Sequence, residues 1–136
     1  MRNGNIVEIS SDLNINSYSF DLSFFSDEIA FVEYNKSIML DENNILVNVK
    51  IQTINGKKIS FIAKISIGSG QPQIEMIKNT SGEYILNVDN DENEFYTKSF
   101  VNNKNVISIW DTKSIKIKNK IILSDEDTIY FVDRIK

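Results

Sequence analysis

Apolar and polar residues alternate from Ile45 to Ile67 in two runs separated by Asn55-Gly56. Ile45, Val47, Val49 and Ile51 share one parity in the first run, and Ile59, Phe61, Ala63, Ile65 and Ile67 share one parity in the second. A period of two sorts side chains onto opposite faces of a pleated strand, so the stretch predicts a β-hairpin. Parity also decides the loop length. A two-residue loop, Asn55-Gly56, sets Ile51 opposite Ser60 and Val49 opposite Ile62, mixing core and solvent faces. A three-residue loop, Ile54-Asn55-Gly56, sets Ile51 opposite Ile59, Val49 opposite Phe61, Val47 opposite Ala63 and Ile45 opposite Ile65. The second register is the expected one, because a slip of one residue would turn the whole apolar set into water. Gly56 then supplies a left-handed third loop residue without a Cβ clash.

Thr80-Ser81-Gly82 predicts the same device downstream. It pairs Lys78 with Tyr84, Ile77 with Ile85, Met76 with Leu86 and Ile74 with Val88. Two such turns point to an antiparallel meander, with Gly68-Ser69-Gly70-Gln71-Pro72 carrying the chain from one sheet to the other.

The rest of the chain reads as short strands. Residues 5–9 form a first strand; a parity switch near Asn16-Ser17 implies a bulge or bend in a second, between Leu13 and Phe24. Residues 26–36 read as strand because Ile29-Ala30-Phe31-Val32-Glu33-Tyr34 is β-branched and aromatic. A short helix capped by Ser26 is the alternative. Further strands are expected over 37–40, 95–101, 106–110, 115–118 with 121–123, and 128–133. About nine or ten short strands at regular spacing predict an all-β fold, an antiparallel β-sandwich or a closed barrel, in a single domain over 1–136.

Length agrees: 136 residues bury about 68% of the unfolded surface, enough to fold without staples. Composition then narrows the chemistry. Cysteine and histidine are both absent, which removes disulfides, thiolate sites, the usual neutral-pH base and the commonest transition-metal ligand. The N-terminus lacks a signal-peptide pattern, and no apolar run approaches about 18 residues, so a cytoplasmic protein is expected. Its setting would be a bacterial cell or a cell infected by a phage or virus, given the Ile-, Asn- and Lys-rich composition of an AT-rich genome.

Three constellations carry candidate chemistry. Asp89, Asp91, Glu92 and Glu94 form an acidic loop, without the glycine and terminal glutamate of an EF-hand. Lys116, Lys118 and Lys120 share one parity and predict a one-faced lysine ladder, suited to an anionic partner or to guarding a sheet edge. Tyr96 and Trp110 are expected at the sheet rim, where aromatics anchor interfaces or stack on sugars. Residues 1–42 carry eight acids against Arg2 and Lys36, a net of −6, while residues 98–136 carry five acids against eight bases, a net of +3. The overall charge of −4 makes nucleic acid an unfavoured partner.

These features predict a non-enzymatic, acidic, protein-binding domain without cofactor or metal. The concrete expectation is a small cytosolic inhibitor, of the toxin-immunity or host-defence-antagonist kind, occluding a basic site on its partner. A phage or viral assembly subunit, working as a homo-oligomer, and a carbohydrate-binding module are the alternatives.

Overall fold

The computed structural model describes residues 3–9, 15–21, 28–68, 72–123, 129 and 131–133. They contain ten strands: β1 (Asn3–Ile9), β2 (Ile15–Asp21), β3 (Ile29–Met39), β4 (Asn44–Thr53), β5 (Lys58–Ser66), β6 (Gln73–Met76), β7 (Tyr84–Asp89), β8 (Glu94–Val101), β9 (Lys104–Asp111) and β10 (Lys116–Leu123). No helix occurs among the described residues. The fold is all-β and antiparallel, as the alternation predicted. Its strands form a β1–β2 hairpin, a sheet in the order β3-β4-β5-β6 and a sheet in the order β10-β9-β8-β7, and no closed barrel.

The central hairpin has the register that parity selects. Ile45 faces Ile65, Val47 faces Ala63, Val49 faces Phe61 and Ile51 faces Ile59. Residues 54–56 form the loop, closed by Thr53 N–H donating to the Lys57 carbonyl at 2.9 Å and Gly56 N–H donating to the Thr53 carbonyl at 3.0 Å. Gly56 sits at φ 87°, the left-handed region expected of it.

Both faces of this hairpin carry buried residues. Val47, Val49, Ile51, Phe61, Ala63 and Ile65 form one buried cluster, joined by Val32 and Tyr34 of β3 and Ile74 of β6. The other face was expected to be wet, yet Leu46 and Ile62 pack with Ile38 against Ile85, Phe95 and Trp110 of the second sheet. Each fully buried Leu or Ile contributes about 1.5–3 kcal/mol, which binds the two sheets firmly. Asn48, on the same face, is buried with its amide fully used: Nδ2 donates to the Glu83 carbonyl at 2.8 Å and Oδ1 accepts the Ile85 N–H at 2.6 Å. β7 accordingly lies against β3, β4 and β5.

Five further expectations about the strands need correction. First, Thr80-Ser81-Gly82 closes no hairpin. β6 pairs with β5 and β7 pairs with β8, so the chain changes sheets there and not at residues 68–72. Thr80 is the cause: its hydroxyl accepts the Ile62 N–H at 3.0 Å and donates to the Ile77 carbonyl at 2.7 Å, fastening the connection along β5. Second, β2 pairs with β1 without a shift, from Ile9 opposite Ile15 to Asn3 opposite Asp21, so there is no bulge at Asn16-Ser17. Leu13, Phe24, Ser26 and Asp27 lie outside the described residues. Third, residues 29–39 make one strand, bent by register shifts between Ile29 and Phe31 and between Tyr34 and Ser37. Fourth, residues 131–133 are irregular. Val132 docks on the second sheet through Asn87, whose Nδ2 donates to the Val132 carbonyl at 2.8 Å and whose Oδ1 accepts its N–H at 2.9 Å. Fifth, the shared parity of the lysines is broken by a bulge in β10.

Candidate functional site

β10 is the outer strand of the second sheet, and it carries the candidate lysines. Ile117 pairs with Trp110, but the next paired residue is Asn119, opposite Ile109. Lys118 is therefore the extra residue of a bulge. Directly opposed residues share a face. Lys116 pairs with Asp111, on the outward face with Ile109; Lys120 pairs with Ser108, on the face of Trp110. The ladder read from the sequence is thus split: Lys116 and Lys120 project to opposite sides of the sheet. Lys118 turns back, its Nζ lying 3.5 Å from Glu94 Oε2.

The apolar residues of β10 are not buried by this arrangement. Ile117 is 39% exposed, Ile121 43% and Ile122 67%. Only Leu123 tucks in, against Leu86, Tyr96, Ile107 and Ile109. An edge strand with three exposed isoleucines and three lysines is the least finished element among the described residues.

The acidic loop lies at one end of the same sheet. Asp89 Oδ1 accepts the N–H groups of Asp91 at 3.1 Å and Glu92 at 3.2 Å, so its carboxylate builds the turn. Asp89 faces Glu94, Glu94 faces Asp111, and Asp111 faces Lys116, giving one cross-strand row of three acids and a lysine. Asp111 in turn accepts the N–H groups of Lys113 at 3.1 Å and Ser114 at 2.7 Å. Those bonds, with the Ser114 hydroxyl at 2.9 Å, hold its carboxyl below the usual aspartate range. Among the described residues, no three acidic side chains are grouped to hold a metal ion.

The rim aromatics prove to be core. Tyr96 is wholly buried and Trp110 is 3% exposed, so neither offers a surface to a protein or a sugar. Trp110 stacks on Phe95 with ring centroids 5.4 Å apart and planes 13° from parallel. Its Nε1–H donates to Thr97 Oγ1 at 2.9 Å, and that hydroxyl donates to Glu83 Oε2 at 2.8 Å. Glu94 is wholly buried as well. The sequence places these residues beside polar neighbours, and strand ends next to charge look like a rim. What buries them is the first sheet on one side and, on the other, the segment containing Ile129 and Val132.

A cleft of about 310 Å³ opens where the sheets meet, lined by Leu40, Asp41, Lys64, Asn93, Lys113 and Ile115. Ile115 has φ 53°, a strained conformation for a β-branched residue. Its N–H donates to the Asp111 carbonyl at 3.0 Å and its side chain packs toward Phe95 and Trp110, which holds the strain in place. The sequence pointed to neither Ile115 nor Lys64; a left-handed isoleucine has no signal in composition or periodicity. Compared with protein-family models, with curated proteins and with solved structures, the chain matches none.

Proposed function

We propose that this protein works by binding another protein, without catalysing a reaction, and that the partner docks on the open edge of β10. The observation that supports the reading is that seven consecutive residues, 116–122, are exposed on a strand that, among the described residues, is paired on one side only. Such an edge carries unmatched backbone N–H and C=O groups, and a partner strand satisfies them while covering the flanking isoleucines. Occlusion of a partner's site by this edge would make the protein an inhibitor, but the site it covers would be one that suits lysines and not the basic site expected from the sequence. The partner-contacting residues are then Lys116, Lys120, Ile121 and Ile122, with Asp89, Asp91 and Glu92 at the neighbouring sheet end.

The test is co-purification from the native cell followed by amide exchange on the complex. One stoichiometric protein partner that slows exchange in β10, and an Ile122→Lys variant that loses it, are expected. A partner that leaves β10 exchange unchanged, or recovery of self-assembled protein alone, would overturn the proposal.

A further inference from the structure

Resting on that edge-binding reading, we infer that the partner of β10 is an extended, acidic segment that sets a carboxylate opposite Lys120 and apolar residues opposite Ile121 and Ile122, and that it pairs with Asn119–Leu123. Residues 113–123 contain Lys113, Lys116, Lys118 and Lys120 and no acid, within a chain of net charge −4. Charge is thus concentrated on the one long edge of the second sheet, where it selects among partner strands by attraction and repulsion.

The bulge fixes where pairing occurs. From Asn119 to Leu123 the strand runs in unbroken register opposite Ile109, Ser108, Ile107, Val106 and Asn105. Five residues is about the usual length of a strand, sufficient for one added partner. Lys118, 3.5 Å from the buried Glu94, marks the end of that ladder and has its charge met within the protein. The charges left for a partner are Lys120 within the ladder and Lys116 and Lys113 beyond it. Ile121 and Ile122 follow Lys120, Ile122 on the face of Lys120 and Ile121 on the other, so the complementary strand places an acid opposite Lys120 and apolar residues at the next two positions.

The β10, β6 and β3 edges of a second copy of this chain fit poorly. Pairing β10 with another β10 opposes lysine-rich strands, and like charges directly across a ladder repel. β6 offers only four residues, Gln73–Met76. β3 is longer, but register shifts at Ile29/Phe31 and Tyr34/Ser37 bend it, which obstructs edge pairing.

The experiment uses the full chain and two synthetic peptides of valine and threonine, one with a single glutamate placed to meet Lys120, the other with lysine in place of that glutamate. The glutamate peptide is expected to bind saturably, to slow amide exchange over Asn119–Leu123, and to bind more weakly as salt rises. Lys120→Gln should weaken it about threefold, the scale of one exposed ion pair; Lys36→Gln on β3 should not. If both peptides bind β10 equally, or salt has no effect, the acidic partner is wrong while the edge reading stands. If neither peptide slows exchange in β10 but a cellular partner does, pairing by strand addition is wrong and the edge binds otherwise. If neither peptides nor cellular proteins touch β10, both proposals fall.

Discussion

Asn48 stands in for a strand beside Ile85. Its Oδ1 accepts the Ile85 N–H at 2.6 Å and its Nδ2 donates to the Glu83 carbonyl at 2.8 Å, so one side chain completes the edge of β7 from within the other sheet. Asn87 does the same for Val132 on the far side. Two asparagines thereby close backbone groups that no neighbouring strand reaches.

Replacing Asn48 by Leu should therefore destabilise the fold despite its apolar surroundings. The Ile85 N–H and Glu83 carbonyl would be buried without partners, at about 1–3 kcal/mol each. Urea denaturation followed by Trp110 fluorescence should show a midpoint shift equivalent to about 2–5 kcal/mol. A loss below about 1 kcal/mol would mean that water or a relaxed β7 replaces the amide.

Thr97→Val tests the buried polar chain. The Thr97 hydroxyl accepts from Trp110 Nε1–H and donates to Glu83 Oε2. Valine keeps the shape and removes both bonds, at an expected cost of about 2–4 kcal/mol, with a change in Trp110 emission. Calorimetry of the variant measures the first; its folded-state fluorescence spectrum measures the second.

Tyr34→Phe should do the opposite. The Tyr34 hydroxyl is buried with no hydrogen-bond partner among the described residues, and burial raises its pKa above the ordinary 10.0. Removing the oxygen relieves that desolvation, and the variant should be as stable as the parent or more stable by about 1 kcal/mol. A clear loss in thermal melting would identify a partner for the hydroxyl.

Stability should fall on acidification in part through two turns. Asp41 accepts from the Asn43 N–H at 2.8 Å and the Asn44 amide at 2.9 Å, and Asp111 from Lys113 and Ser114; these bonds lower both carboxyl pKa values from 3.8. A lowered folded-state pKa means that the unfolded chain binds protons first as pH drops. The contribution is complete above the unfolded value and is lost as pH falls below 3.8 through the folded values. Asp41→Asn with Asp111→Asn should make the unfolding midpoint less steep with pH in that window, measured by denaturation at stepped acid pH.

The β4–β5 hairpin was legible down to its pairing because parity, turn length and Gly56 all gave one answer. The partner of β6 was not, because Thr80-Ser81-Gly82 has the chemistry of a hairpin loop and only the Thr80 bonds to Ile62 and Ile77 turn it into a crossing. Sheet order depends on contacts distant in sequence, and the 3.6-versus-2 periodicity of side chains carries none of that information. The candidate site was half legible. The lysines were found, but the bulge at Lys118 that separates their faces shows only in its register against β9, and its ion pair reaches Glu94 on another strand. Tyr96 and Trp110 were read as rim because burial by a second layer leaves no trace in the local pattern.

A hairpin that closes a three-residue loop and buries residues on both faces has consequences for assembly. Its pairing is local in sequence, starting at Gln52 opposite Lys58, and a hairpin forms in about 1–10 μs. Order would then spread outward from β4–β5, with the second sheet captured when Asn48 meets β7. β10 joins at the far end of that sequence, so the strand offered to a partner is also the one whose fraying does least harm to the nucleus.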